Sequence, residues 1–367
     1  MSFIEAVYEL RARTPVEARR LALAVAREQT LEAVPGLAPA ALEAALLGRV
    51  ESLERKAAGR YTATLLYSEA LIGGVGGVGS LVNLLFGNVS LFGGVRLADV
   101  RWPRSLLDRF PGPAFGLEGL RAETGVRGRA LLCAILKPVG LTARALARQA
   151  RALALAGIDV IKDDHNLADQ ASAPFADRVR WVQDAIAAAN ARTGRSCLYL
   201  PHLSGGGSVL VERVELLHES GIRGVLIAPL LLGWETTAAL AAESGLLLLA
   251  HPTTSGVFFG RQHGVAREVL FGELLRIAGA DGVIFPNAGG RFPVPIASCR
   301  EVTTRLRAPR GDLRPSFPAP GGGMDVKRVA RWRRVYGDDT LFLLGSALLK
   351  EPDLGGAVAA LLQVVEA

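Results

Sequence analysis

Two hydrophobic rhythms divide the chain. Up to about residue 105, apolar positions alternate as in half-buried strands and recur at helical spacing between them. Residues 3–11 alternate along a strand, and Thr14-Pro15 then opens a helix that runs to about residue 30. Thr14 can accept a capping bond there, and proline suits a first helical turn. Strands follow at residues 49–54 and 61–68, a helix at 79–86 and a strand at 95–100. That order predicts a small ferredoxin-like α+β domain over residues 1–105.

A turn-rich stretch from Trp102-Pro103 to Gly116 reads as a linker. Beyond it, apolar strand, polar turn and amphipathic helix repeat. The strands are expected at 130–136, 159–163, 197–201, 224–228, 246–250, 282–285, 313–317 and 340–344. Helices are expected at 142–156, 175–191, 209–220, 236–244, 265–278 and 324–336, with no clear helix after the sixth strand. Eight β/α units in series predict a TIM (β/α)8 barrel over residues 106–367, with its chemistry at the C-terminal strand ends.

Those strand ends are where the polar residues collect. The first carries Lys137 and the second Lys162-Asp163-Asp164-His165. The third carries His202, followed by Ser204 and three glycines, and the fifth carries His251. The sixth gives Asn287, Gly289, Gly290 and Arg291, the seventh Gly321, Gly322 and Gly323, and the eighth Gly345 and Ser346. Strand parity puts Lys162 and Asp164 on one face, with Asp163 and His165 on the other until the chain turns. Of the 42 lysines and arginines only five are lysine. Lys137 and Lys162 both end apolar runs, where an amine can lose its proton and a guanidinium cannot. Lysines, histidines and an aspartate on one rim suit removal of a proton next to a carbonyl, with the enolate held by a cation. Glycines after strands seven and eight match the usual phosphate site of such barrels, although each run also reads as a plain turn.

Charge and composition narrow the partners. The net charge of +7 is spread among acids, and the densest basic group, Arg331, Arg333 and Arg334, has only Trp332 as an interleaved aromatic. That argues against nucleic acid and fits an anionic small molecule. No apolar run is long enough to span a bilayer, and residues 1–13 show no secretory pattern. Cys133, Cys197 and Cys299 have no paired or metal-binding spacing, as expected for reduced thiols in a cytoplasmic protein. The glycine-rich run 73–79 lacks the context of a dinucleotide fingerprint, so it reads as a loop near the site or a packing bend.

The order of domains and the motifs Lys137-Pro138 and Ile161-Lys162-Asp163-Asp164 resemble the RuBisCO superfamily across nearly the whole chain. The resemblance implies Mg2+ bound by a carbamate on Lys162, by Asp164, and by His165 or water. It implies Lys137 as a base or electrophile and His251 as a proton carrier. Phosphate and substrate contacts fall to His202, Arg291, Gly321, Gly322, Gly345 and Ser346. Glu28 and Asn83 resemble the residues that reach a neighbour's site in a family homodimer. Without carbamylation, an ion pair between Lys162 and Asp164 is expected instead.

Several positions depart from the family's carboxylases. His165 replaces a glutamate, Val139 a second lysine, and the run from Asn287 through Arg291 to Phe292 a loop ending in lysine. Pro252-Thr253-Thr254-Ser255 lacks an arginine and a histidine. The resemblance is therefore to a RuBisCO-like protein that does not fix CO2. It implies enolisation of a phosphorylated ketose, as in an isomerase or tautomerase acting on a methylthioribulose-phosphate-type compound in sulfur salvage. A decarboxylase of a β-keto sugar-acid phosphate, of the oxo-isoapionate phosphate type, and a non-catalytic binder of phosphorylated ketoses are the alternatives.

Overall fold

The structure is a computed structural model and describes residues 2–73, 77–260 and 262–367. Four antiparallel strands build the N-terminal sheet: β1 (Phe3–Arg11), β2 (Arg49–Ala57), β3 (Arg60–Ser68) and β4 (Val95–Arg101), in the order β4-β1-β3-β2. Along β1 the even positions Ile4, Ala6, Tyr8 and Leu10 are buried. They share a core with Ala18, Ala22 and Val25 of the Pro15–Glu28 helix and with Leu81 and Leu85 of the Val78–Phe86 helix. Thr14 Oγ1 accepts from Glu17 N at 3.1 Å, so the predicted cap forms. This is the expected ferredoxin-like arrangement.

Eight parallel strands make the second sheet: β5 (Leu131–Leu136), β6 (Val160–Asp163), β7 (Leu198–Leu200), β8 (Gly224–Ile227), β9 (Leu247–Ala250), β11 (Gly282–Pro286), β12 (Phe317–Gly321) and β13 (Leu341–Leu344). Neighbours run β7-β6-β5-β13-β12-β11-β9-β8, and a parallel bridge between His202 and Leu226 joins the two ends. The barrel is thereby closed, and no edge is left open. Its interior is filled by such residues as Val160, Leu200, Leu226, Leu249, Phe317 and Leu343.

The seventh strand lies four residues beyond its expected place. Residues 313–317 were expected, but β12 starts at Phe317 and runs through Pro318 and Pro320. Prolines argue against an interior strand because they give no N–H. Here β12 pairs with β11 along its length but meets β13 only at Gly321. The next helix starts at Val329, not 324, so the glycines at 321–323 do not abut a helix N-terminus. The helix missing from the pattern after strand six is Ile296–Arg307. The expected helix over 265–278 is present as Arg267–Ile277, with a π-helical turn at Leu270–Leu274.

The linker leads into a helical plug. Its end forms the Gly116–Thr124 helix, whose Leu117 and Leu120 pack among the barrel's interior residues. Asp281, 0% exposed, accepts from Phe115 N at 2.7 Å, Gly116 N at 2.6 Å and Leu248 N at 2.8 Å. Burial pushes its pKa up to about 6, against the pull of those three N–H groups.

The two sheets are joined. A short strand, β10 (Gly264–Val265), leaves the barrel and pairs in parallel with β4. Trp102 Nε1 donates to the buried Glu273, and Arg305 bridges Glu273 and Asp99 at 2.9 and 2.6 Å. Of the run 73–79, residues 74–76 lie outside the described residues. Gly79 N donates to Glu235 at 2.9 Å, and a Cβ at Gly77 would sit 1.8 Å from the same carboxylate. Gly77 caps the Val78–Phe86 helix and Gly79 lies in its first turn, both packed closely on Glu235. No described helix is long and apolar enough to cross a membrane.

Replacing Asp281 by alanine orphans three buried N–H groups. We expect Asp281→Ala to lower unfolding free energy by about 3 kcal/mol or more in urea titrations, with Asp281→Asn losing less.

Candidate active site

β6 separates two carboxylates by strand parity. Asp163 points out of the barrel, where it meets Arg178 of the Phe175–Thr193 helix; both side chains are 0% exposed. Arg178 Nε donates to it at 2.9 Å, Tyr199 Oη at 2.9 Å and His202 N at 3.0 Å. Burial pushes the Asp163 carboxyl up, but these donors and the Arg178 charge oppose it, and Arg178 remains charged. The other guanidinium nitrogens donate to Ala173, Ala168 and Leu167 carbonyls at 2.8–3.2 Å. They pin the loop that follows β6.

That loop carries the rim chemistry. Asp164 Oδ2 lies 2.9 Å from Lys137 Nζ, and Oδ1 lies 3.2 Å from His165 Nδ1. Asn166 N also donates to Oδ1 at 3.0 Å. Burial alone would raise the Asp164 pKa, but Lys137 and the Asn166 N–H hold it below the usual carboxylate range. The expected ion pair between Lys162 and Asp164 is therefore absent, because Lys137 takes its place. Lys162, 1% exposed, instead donates to the Asp163 carbonyl at 2.9 Å. Burial lowers its pKa and favours the neutral amine.

His165 returns to the rim once the strand ends. Its ring stacks on His251, with centroids 4.2 Å apart and planes 12° from parallel. Burial lowers the pKa of both, that of His251 to about 2. Thr253 N donates to His251 Nδ1 at 3.2 Å, which leaves the proton of the neutral ring on Nε2. His202 is 6% exposed, and neither ring nitrogen has a hydrogen-bond partner. The Leu167 carbonyl approaches without completing a bond, and burial pushes the His202 pKa down to about 4.

Across the mouth, the loops after β11 and β12 are knitted together. Buried Asn287 donates from Nδ2 to Gly322 O at 3.1 Å and from its backbone N to Gly321 O at 2.9 Å. Tyr336 Oη donates to Asn287 Oδ1 at 2.5 Å, and Trp332 Nε1 to Gly323 O at 3.2 Å. Gly323 (φ +67) passes so close to Gly289 that a Cβ would stand 2.6 Å from its carbonyl oxygen. Gly345 precedes the short Ser346–Leu349 helix, and a Cβ there would make an ordinary contact with Ile135 Cδ1 at 4.0 Å. Arg291 is exposed over the Phe292 ring, at 4.9 Å, and its charge reaches His165.

Two expected residues stand apart. Glu28 accepts from Asn88 at 3.0 Å, and the Asn83 carbonyl accepts from Gln29 at 2.7 Å. Both belong to the N-terminal unit, and no hydrogen bond or ion pair found among the described residues joins either side chain to the rim.

A model of the ribulose bisphosphate carboxylase large chain, catalytic domain, matches residues 116–291. The 5-methylthioribulose-1-phosphate isomerase of Rhodospirillum rubrum is 41% identical over 355 residues, covering 95% of this chain and 92% of that protein. A crystal structure of a Rubisco-like protein from Rhodopseudomonas palustris superposes with a TM-score of 0.90 at 37% identity, covering 100% of this chain and 98% of the other. The chain belongs to the RuBisCO-like proteins. The 2,3-diketo-5-methylthiopentyl-1-phosphate enolase of Geobacillus kaustophilus is 32% identical over 76% of this chain and 69% of that protein.

Among the residues of this RuBisCO-like protein, sequence reasoning had passed over Arg178, Gln149, Thr253 and Tyr336. Gln149 brackets Lys137, accepting from its N at 3.0 Å and donating to its O at 2.8 Å. Each acts through a partner distant in sequence or through backbone, so no local motif marks it.

The buried His202 has a sign that can be tested. Its folded pKa lies below the ordinary value, so the unfolded chain takes up the proton first as pH falls. The stability it permits is full above pH ~6.5 and is lost toward pH ~4, roughly 3 kcal/mol in all at ~1.4 kcal/mol per pH unit. In His202→Leu, urea midpoints should fall less steeply between those pH values.

Proposed function

We propose that this RuBisCO-like protein is an isomerase of a phosphorylated ketose of the methylthioribulose-phosphate type. The observation that carries this reading is the row Lys137–Asp164–His165, stacked against His251. It sets an ammonium, a free imidazole nitrogen and an imidazole N–H at one mouth. Similarity to the Rhodospirillum rubrum isomerase over nearly the whole chain supports it.

Each residue has a task that its contacts define. Asp164 Oδ1, 3.2 Å from His165 Nδ1, favours the ring proton on that nitrogen, which would leave the Nε2 lone pair to act as the base. As the substrate C–H bond breaks, the electron pair forms a C=C bond and the carbonyl oxygen gains charge. Lys137, oriented by Asp164 and Gln149, and His251 Nε2–H stabilise that oxygen. The proton of the adjacent hydroxyl passes to the old carbonyl oxygen, the abstracted proton is delivered to the old carbonyl carbon, and the carbonyl re-forms one position along. The N–H groups about Gly321, Gly322, Gly345 and Ser346, with Arg291, hold the phosphate. His202 offers a substrate oxygen two unpartnered nitrogens. In a homodimer, Glu28 and Asn83 would be supplied by the neighbouring copy.

No three described His, Cys, Asp or Glu side chains converge as a ready metal cage. Asp164 offers one donor, and the buried Lys162 amine, whose pKa burial lowers, can add CO2 to give a second, with water completing the shell where His165 acts as the base. With that carbamate the set fits Mg2+, which binds through one or two carboxylates and keeps several waters. Mg2+ bound there would supply positive charge to the enolate oxygen. Loading with 13C-bicarbonate and Mg2+ should give a carbamate carbon signal that Lys162→Met lacks; no signal in the unaltered enzyme would remove the carbamate from the reading.

The activity test uses 5-methylthioribulose-1-phosphate in D2O with Mg2+ and bicarbonate. Deuterium should enter at the carbon next to the carbonyl as an isomer forms, and His165→Gln should lower kcat by roughly 10²–10⁴-fold. Release of CO2 from a β-keto sugar-acid phosphate, with no isomerisation, would transfer the assignment to a decarboxylase. Binding of ketose phosphates without either reaction would make the chain a binder.

A further inference from the structure

A second concentration of charge lies on the N-terminal sheet, away from the rim. Even positions of β1 are buried beneath the helices, so Glu9 and Arg11 point to the opposite face. There, Arg11 of β1 stands directly across from Arg60 of β3, and Glu9 across from Arg96 of β4. Like charges facing each other across a ladder are destabilising. Arg96 is neutralised by Glu9 at 3.0 Å, and Lys56 by Glu54 at 2.5 Å. No ion pair found among the described residues serves Arg11 or Arg60, and both side chains are exposed.

The backbone keeps the two arginines together. Arg11 N donates to Gly94 O at 2.8 Å, and Ala12 N to Gly59 O at 3.3 Å. Gly94 (φ +77) allows this approach, since a Cβ there would lie 2.9 Å from Arg11 Cβ. The strand ends cannot splay to separate the charges. Together with Thr62, Gln262 of the barrel, Lys56 and the Glu9–Arg96 ion pair, they line a cavity of about 220 Å³. That is smaller than the ~300–1,000 Å³ of a drug-sized site, and it suits a compact ion.

We propose that this cup binds a small, multiply charged anion bearing a diphosphate group, at a site separate from the barrel rim. Guanidinium forks match phosphate oxygens two at a time. Thr62 and Gln262 add neutral hydrogen-bonding groups. An anion between Arg11 and Arg60 removes the repulsion that the register imposes. The inference does not rest on the reaction proposed for the rim.

Calorimetric titration of the full-length enzyme with inorganic pyrophosphate tests it. One equivalent should bind that ketose phosphate does not displace. Arg60→Thr should weaken that equivalent at least tenfold and leave kcat and KM unchanged. Without ligand, Arg60→Thr should melt at or above the temperature of the unaltered enzyme, because the like-charge pair is gone. Arg11→Thr should repeat the binding loss by a second route. Unchanged pyrophosphate binding in both variants, or binding that ketose phosphate fully displaces, would overturn the proposal. Loss of turnover with the cup still occupied would count against the rim's function alone.

Discussion

The buried pair of Asp163 and Arg178 is the interaction on which the rest of the site depends. Desolvating two charges is expensive, and a single hydrogen bond would not offset it. Here the carboxylate takes donors from Arg178, from Tyr199 on the neighbouring strand and from the backbone of His202. The guanidinium spends its remaining N–H groups on carbonyls of the loop after β6. One pair thus fastens strand, neighbouring strand, helix and loop at a single point. Asp164 and His165 sit on the loop so fastened.

Strand parity then divides the labour between adjacent aspartates. Asp163, turned outward, builds the scaffold. Asp164, at the rim, organises charge: it holds Lys137 on one oxygen and His165 on the other. Occupying Asp164 in this way frees Lys162 from an ionic partner. Its amine is left dry, with one carbonyl to meet, and its neutral form is favoured. A buried lysine without a countercharge is costly unless its reactivity is used. The stacked histidines add to this design. Burial favours the neutral form of both, so the stacked rings are not two cations held face to face.

The second half of the mouth relies on backbone. Asn287, Tyr336 and Trp332 lock the carbonyls of Gly322 and Gly323, and Gly323 packs against Gly289 with no room for a side chain. Farther out, β10 and the Glu273 cluster join the N-terminal sheet to the barrel. The cup at Arg11 and Arg60 lies on the free face of that sheet, where register and not packing set its charges.

The sequence by itself determined the two rhythms, seven of the barrel strands in place, and the residues at the strand ends. These follow from local periodicity, and β6 with its Lys162-Asp163-Asp164 ending was legible from apolar burial and parity alone. β12 was not, because its prolines mimic a loop until a neighbouring strand supplies the pairing. The plug helix at 116–124 was hidden by turn residues and is held by Asp281, far away in sequence. Only the tertiary structure decided who partners whom: that Lys137, not Lys162, takes Asp164, and that His165 meets His251. Charges choose partners by distance in space and by the desolvation they share, and neither quantity is written in the order of residues.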